Sequence, residues 1–427
     1  MKSPVLAEGA AERTEGMLSG YRILDLTNER GPICAKILGD LGADVIKVEK
    51  PGGDPARTIG PFYHDVPHPE KSLFWLAYNT SKRGITLDIE TLDGRAIFRR
   101  LVEKSDIVVE SFDPGYMDKL GLGYGALSCV NPRIILTSIT GFGQTGPYHD
   151  FKAPDWVVWA LSGVLFILGD PDRPPLAPGF PLSYLFGGMQ AAVGTMIALY
   201  HKEVTGHGQS VDVSAQMAAS IMSQPEVQGV WDIEKRITHR LGRTRERPGT
   251  MVRTPLLWQC KDGDVSFIIM LGASTTRSNA LLAEWIEADG VRSETFRKID
   301  WQTLGWDEMT QDLAGEVIGV ISRFFMRHTK AELFQGCIER GISLCPLLTP
   351  KDLLEFEQLV ARSYWVVLQH PEPGMTITYP GGFLKSTGTV CEVRRPPLIG
   401  EHNEEIYAGE LGLSVKELSA LRQSKII

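Results

Sequence analysis

Apolar positions along the chain follow two alternating periods. The run YRILDLT (21–27) is nearly all apolar and reads as a buried strand. Gly31-Pro32 then opens ICAKILGDLG, where apolar residues return at helical spacing. Proline suits a first helical turn, because its missing N–H needs no partner there. Gly42 stops this helix and DVIKVE follows as a strand, so the segment predicts a β-α-β unit. GITLDIE, DIVVE and PRIILTSIT read as further strands. DGRAIFRRLVEKS reads as an amphipathic helix with Asp93 as its candidate N-cap. Strands this apolar, alternating with helices, predict an α/β domain with a parallel sheet. WVVWALSGVLFILG (156–169) and LFGGMQAAVGTMIALYH (185–201) read as buried helices flanking a proline-rich loop, and TGHGQSVDVSAQ as a turn into a strand.

The chain's 427 residues exceed one ordinary core. Residues 1–18 are small and polar and are expected to be a disordered tail. Residues 19–222 form the first part of a large domain. Residues 223–255, with HRLGRTRERPGT, read as a linker or arm. A smaller α/β domain is expected over 256–325, and 326–427 returns to the large domain.

Composition narrows the function. Hydrophobic residues at 43% and charged residues at 22% describe a globular chain and exclude wholesale disorder. Lys and Arg total 44 against 52 Asp and Glu, a formal charge of -8, which argues against wrapping nucleic acid. The six cysteines show no CxxC spacing, so neither a metal site nor a disulfide framework is expected. The longest apolar stretch, Trp156 to Leu168, is too short to span a bilayer. A soluble, cytoplasmic protein in a reducing compartment is expected.

No P-loop follows the strands, no GxGxxG follows the first of them, and HExxH and GxSxG are absent. Basic residues nevertheless recur beside predicted strand ends. Lys47, Lys50 and Arg57 go with the second strand, Lys82 and Arg83 precede the third, Lys119 follows the fourth, and Lys152 follows GFGQTGP. Singly, each reads equally well as a solvated surface group. Together they point to an anionic ligand at the sheet.

Several long motifs, in order, carry a resemblance. YRILDLTNERGPICAKILGDLGADVIKVEKPGGDPAR, NTSKRGITLDIETLDGRAIFRRLVEKSDIVVESFDPGYMDKLGLGY, ITGFGQTGPY, TGHGQSVDVS and PPLIGEHNEEI resemble the family III CoA-transferases, the formyl-CoA transferase and carnitine CoA-transferase (CaiB/BaiF) family. The resemblance spans roughly residues 20–427. It implies a Rossmann-like large domain with a parallel sheet, a smaller α/β domain, and two chains interlocked as a dimer. It implies coenzyme A or acyl-CoA as substrate, with no permanently bound cofactor. It also implies a ping-pong reaction through an aspartate, by way of an acyl anhydride and an enzyme–CoA thioester.

Carried over residue by residue, the resemblance assigns CoA binding to Asn28, Glu29 and Arg30 before the first helix and to Lys50 after the second strand. Leu87 and Asp88 follow, then Ser111 and Phe112, Lys119 and Leu120, and Lys152. Two positions depart from the family. Glu90 stands where a basic residue is frequent, and Ser111 replaces an asparagine.

The largest departure is at the nucleophile. The family's aspartate lies four residues before a glycine that aligns with Gly188, and Tyr184 occupies that place, with Ser183 beside it. A phenol of ordinary pKa near 10 is protonated at neutral pH. Asp155, Asp170, Asp172 and Glu29 are the substitute carboxylates, although Asp155 reads better as a helix N-cap after Pro154.

Three readings follow. The chain is a nucleophile-lacking subunit that pairs with a homologous chain, as in heteromeric members such as the benzylsuccinate CoA-transferase of anaerobic toluene degradation. Such an enzyme moves CoA from a donor like succinyl-CoA to an acid like an aromatic succinate. Alternatively, the chain is a stand-alone acyl-CoA racemase or hydratase that works by proton transfer, or it is a CoA-transferase with a different nucleophile.

Overall fold

The computed structural model describes residues 16–223, 230–237, 239–246, 252–271, 276–301 and 303–427. The chain divides into two compact units: 1–164 with 177–229 and 357–427, and 165–176 with 230–356.

The first unit is built on six parallel strands. They are β1 (Arg22–Leu26), β2 (Asp44–Glu49), β3 (Lys82–Thr86), β4 (Ile107–Glu110), β5 (Ile135–Thr140) and β6 (Ser210–Ser214). The order across the sheet is β3-β2-β1-β4-β5-β6, so it reverses direction between β1 and β4. Open parallel sheets bind ligands in the crevice outside the strand carboxyl ends at such a reversal.

The helices between the strands are α1 (Pro32–Asp40), α2 (Leu73–Tyr78), α3 (Leu92–Val102), α4 (Tyr116–Lys119), α5 (Tyr124–Val130), α6 (Asp155–Leu161), α8 (Leu182–Thr205) and α9 (Ala215–Ser220). The short α7 (Val164–Ile167) carries the chain into the second unit. Pro32 opens α1 as expected. The cap of α3 differs from the expectation. Thr91, not Asp93, accepts the Gly94 N–H with its hydroxyl, and Asp93 lies in the first turn.

A buried charge network holds the β1–β3 half of the sheet. Lys82, wholly buried, gives its three ammonium donors to Asp25 Oδ2 (2.7 Å), Asn79 Oδ1 (2.8 Å) and the Pro32 carbonyl (3.0 Å). Lys47 pairs with Asp54 at 3.1 Å and donates to the Thr27 carbonyl. Arg57 grips Glu49 with two bonds of 2.6 and 2.8 Å, reaches Glu70 at 2.6 Å and lies 3.7 Å from the Trp75 ring. Burial alone raises the Asp25 carboxyl, but the Lys82 and Lys47 ammoniums outweigh it and hold Asp25 below its ordinary value. The third strand therefore begins at Lys82, earlier than the apolar run suggests.

The edge strand β3 is covered by the C-terminal segment. His402 and Gly84 exchange two bonds, Asn403 Oδ1 accepts the Thr86 N–H at 2.9 Å, and Tyr407 donates to the Thr86 carbonyl at 2.6 Å. The PPLIGEHNEEI motif thus occupies a sheet edge that would otherwise offer unpaired backbone groups.

The two apolar helices expected to be buried are only half so. α8 buries Gly187, Gly188, Ala191, Thr195 and Ala198. Small residues allow this close approach: a Cβ on Gly188 would meet Ile33 Cγ2 at 2.5 Å. The opposite face of α8, Val193, Ile197, Tyr200 and Val204, is exposed, as are Trp156 and Leu161 of α6. Of the expected tail, residues 1–15 lie outside the described residues. Leu18 is buried and its N–H bonds to the Leu41 carbonyl at 3.0 Å.

The second unit has its own core. Strands Leu257–Cys260, Gly263–Phe267 and Leu344–Pro346 form an antiparallel sheet with Gly263–Phe267 central. Trp258, Phe267 and Phe325 meet edge to face or tilted, with centroids 5.6 to 6.2 Å apart. Segment 165–176 joins this unit through Arg240, which donates to the carbonyls of Phe166, Asp170 and Arg173. Parts of the expected 223–255 arm, residues 224–229, 238 and 247–251, lie outside the described residues.

Lys82→Met leaves Asp25 buried without its partner. The expected loss is about 3–5 kcal/mol of unfolding free energy for the first unit, read as a lower urea midpoint. An unchanged midpoint contradicts the assigned role of the pair.

Candidate functional site

Where the sheet order reverses, the ends of β1 and β4 are stitched together. The Ser111 hydroxyl accepts the Asn28 N–H at 2.9 Å and donates to Asn28 Oδ1 at 2.9 Å. Asn28 Oδ1 also accepts the Arg30 N–H at 3.0 Å. One wholly buried serine therefore fixes the loop that carries Asn28, Glu29 and Arg30. A hydroxyl serves here as both donor and acceptor, so Ser111 is a clip between loops.

A cavity of about 190 Å³ opens over this clip. Leu26, Val48, Leu87 and Phe112 give it apolar walls; Asn28, Lys50 and Tyr116 are among its polar lining, with Glu49 and Asp54, which are paired to Arg57 and Lys47. Asn28, Lys50, Leu87 and Phe112 thus line one cavity, and Ser111 holds the loop that carries Asn28. Asp88 turns to its own loop, accepting the Glu90 N–H at 2.9 Å. Lys119 is exposed, Leu120 is half-buried with its carbonyl held by Arg95, and neither lines the cavity.

Most of the basic residues grouped by sequence are engaged elsewhere. Lys47, Arg57 and Lys82 are buried in the ion-pair network, and Arg83 is held by Asp44, Glu405 and Glu410. Lys50, Arg30 and Lys152 remain partly exposed beside cavities.

A second cavity, about 340 Å³, is lined by Glu29, Arg30, Lys152, Asp155 and Tyr184 among others. Arg30 Nη1 donates to Asp113 at 2.8 Å, Glu29 lies 3.8 Å from Arg30, and Lys152 reaches Asp113 at 3.3 Å. The Tyr184 hydroxyl donates to the Ala153 carbonyl at 2.5 Å. Burial pushes the phenol up to about 12, although Arg30 pulls the other way. Gly141 gives this contact room, because a Cβ there would meet Ala153 Cβ at 2.2 Å and the Tyr184 hydroxyl at 3.2 Å.

Asp155 does not cap its own helix, whose N-cap is Pro154. Its Oδ1 accepts the Ser183 N–H at 3.0 Å and the Ser183 hydroxyl at 2.5 Å, so it caps α8. Ser183 itself is wholly buried. Asp170 and Asp172 belong to the second unit. No group of three or more His, Cys, Asp or Glu suited to a metal occurs among the described residues.

Sequence reasoning missed two participants. Tyr116 lines the first cavity and stacks on Phe112 with centroids 4.7 Å apart. Their four-residue spacing in FDPGYMDKL was the available signal. Asp113 bridges Arg30 and Lys152, and nothing in its spacing announces that.

Two outcomes follow. Ser111→Ala leaves the half-buried Asn28 N–H without its acceptor, and the expected cost is about 1 kcal/mol of stability. A denaturation midpoint equal to wild type contradicts the clip. Glu110, buried at the end of β4, is pushed up to about 7 by burial, against bonds from Ser138 and the Phe112 N–H. Its folded pKa lies above its unfolded value, so its contribution is whole below the unfolded pKa and fades as pH rises toward 7. Glu110→Gln is expected to flatten the fall in stability between about pH 4.5 and 7. Parallel pH profiles for the two proteins contradict this.

Residues 18–403 match the family described as CoA-transferase family III. The chain is 36% identical over 412 residues to the succinyl-CoA:(R)-benzylsuccinate CoA-transferase subunit BbsE of Thauera aromatica, covering 94% of this chain and 96% of that one. It is 32% identical to a formyl-CoA:oxalate CoA-transferase of Streptomyces coelicolor, covering 97% and 100%. A crystal structure of a CAIB/BAIF family protein from Brucella suis superposes with a TM-score of 0.78 at 25% identity, covering 93% of this chain and 100% of that one. With the strand order, the switch-point cavity and these matches agreeing, the chain belongs to CoA-transferase family III.

Proposed function

We propose that this chain is the nucleophile-lacking subunit of a heteromeric CoA-transferase, and that a homologous chain supplies the reacting aspartate. The enzyme moves CoA from a donor such as succinyl-CoA to a carboxylic acid. The observation that carries the reading is Tyr184, whose phenol is buried, bonded to a backbone carbonyl and pushed up to about 12.

The stoichiometry of CoA transfer supports it. A carboxylate oxygen attacks the donor thioester, the C–S bond breaks, and CoA leaves as thiolate. The thiolate then attacks the enzyme's own carboxyl carbon in the anhydride, expels the donor acid and leaves an enzyme–CoA thioester. That intermediate requires an acyl carbon on the enzyme. Neither the Tyr184 phenol nor the Ser183 hydroxyl has one, and Ser183 is buried away from the cavity.

Of the cavity's carboxylates, Asp155 already accepts two bonds at one oxygen to cap α8. This argues against Asp155 as the acid or base of a proton-transfer enzyme. Glu29 is the remaining carboxylate for a transferase with its own nucleophile. The relative BbsE is itself named as a subunit, which favours a heteromer. The exposed apolar stripe of α8 supports burial against another chain, in keeping with an interlocked dimer. Arg30, half-buried on a pinned loop, suits an acceptor with a second carboxylate, such as an aromatic succinate.

Trapping tests the assignment. The protein purified with its partner is incubated with donor acyl-CoA, quenched with borohydride or hydroxylamine, and mapped by peptide mass spectrometry. The modified carboxylate is expected on the partner chain and none on this one. This chain alone is expected to show neither CoA transfer nor α-proton exchange in deuterated water. An adduct on Glu29 or another carboxylate of this chain contradicts the reading.

A further inference from the structure

Three segments meet at the edge of the switch-point cavity. Lys50 follows β2, Glu90 lies between β3 and α3, and Tyr116 opens α4. Lys50 Nζ and the Tyr116 hydroxyl both donate to the same oxygen, Glu90 Oε1, at 2.8 and 2.5 Å. Lys50 and Tyr116 line the cavity. We infer that Glu90 is a built-in competitor for Lys50: it holds the ammonium across the cavity edge, and a phosphate of the CoA nucleotide must displace it to enter. The inference rests on the reading that this cavity receives CoA.

The loop around Glu90 is fixed, so the competitor is pre-positioned. The Glu90 N–H bonds to Asp88 Oδ1 at 2.9 Å, the Asp88 N–H bonds to the Ile426 carbonyl at 2.8 Å, and Thr91 caps α3. Tyr116 is steadied by its contact with Phe112. The Lys50 bond, followed by the Tyr116 bond, holds the Glu90 carboxyl below its ordinary value, so it stays charged at neutral pH.

The pair is also displaceable. The side chains of Lys50 and Glu90 are 55% and 48% exposed, and an ion pair so placed is weak. A phosphate offers Lys50 greater charge and more acceptor oxygens. Entry thus exchanges one anion for another at Lys50 and leaves Glu90 to the Tyr116 hydroxyl and water. A ligand without an anion at this point has no means of making the exchange. Glu90 thereby sets the affinity of the cavity for phosphorylated ligands.

Calorimetric titration with CoA tests this on the full chain, together with any partner it carries. The proteins compared are wild type, Glu90→Gln, Lys50→Met and the double variant. Competition predicts that Glu90→Gln binds CoA about three- to tenfold tighter, and that Lys50→Met binds more weakly. The gain from Glu90→Gln is expected to vanish on the Lys50→Met background. Any site on the partner chain keeps one affinity throughout and is told apart by stoichiometry. Equal or weaker binding by Glu90→Gln, or a gain that persists without Lys50, overturns the competition and leaves the CoA reading intact. Binding of no CoA by this chain, in wild type and Glu90→Gln alike, overturns both.

Discussion

Buried ion pairs hold one half of the parallel sheet. Asp25 with Lys82, Lys47 with Asp54, and Glu49 with Arg57 join β1, β2, β3 and the turn after β2. Removing such charges from water is expensive, and it is tolerated only where every donor finds an acceptor. Lys82 meets that condition with three acceptors at once, one of them on the first residue of α1. The network therefore fixes more than strand register. Through Thr27, whose carbonyl accepts from the Lys47 ammonium and whose N–H and hydroxyl donate to Asp25 Oδ1, it sets where the chain leaves β1. The next residue is Asn28, the start of the site.

From that point the two cavities have different chemistry. The first is an apolar slot with a charged edge, suited to a long ligand with phosphate at one end. The second carries charged side chains at its walls, with Arg30 and Lys152 near Glu29, Asp113 and Asp155. In the second, the Tyr184 phenol is tied to the Ala153 carbonyl. On the proposed reading, the first cavity takes the ligand while a partner chain supplies the reacting carboxylate that Tyr184 does not. The half-exposed apolar helix α8 has the same implication, since a helix apolar on all sides is one that something covers.

Much of this was legible in the sequence. The β1-α1-β2 unit, the parallel sheet and the loop bearing Asn28 to Arg30 follow from period and punctuation alone. The charged residues were the harder part. Lys47, Lys82 and Arg57 read singly as surface groups and together as part of an anion site at the strand ends, because a sequence does not show which carboxylate is buried with which amine. For the same reason the run GITLDIE marks the start of β3 at Gly84, two residues after its true start at Lys82. The cap of α3 was misplaced within the ETLD segment, where Thr91 and Asp93 are both good capping types. Asp155 was recognised as a capping residue, but the helix it caps begins 27 residues later at Leu182, a partnership that only the fold can bring about.

The central claim is that this chain works beside a homologous one. Native mass spectrometry of the protein from its own cell extract, followed by peptide identification, tests it most directly. The account predicts an assembly of two different chains of similar size, the second with an aspartate at the place of Tyr184. An assembly of this chain alone that transfers CoA at a rate typical of enzymes would contradict it.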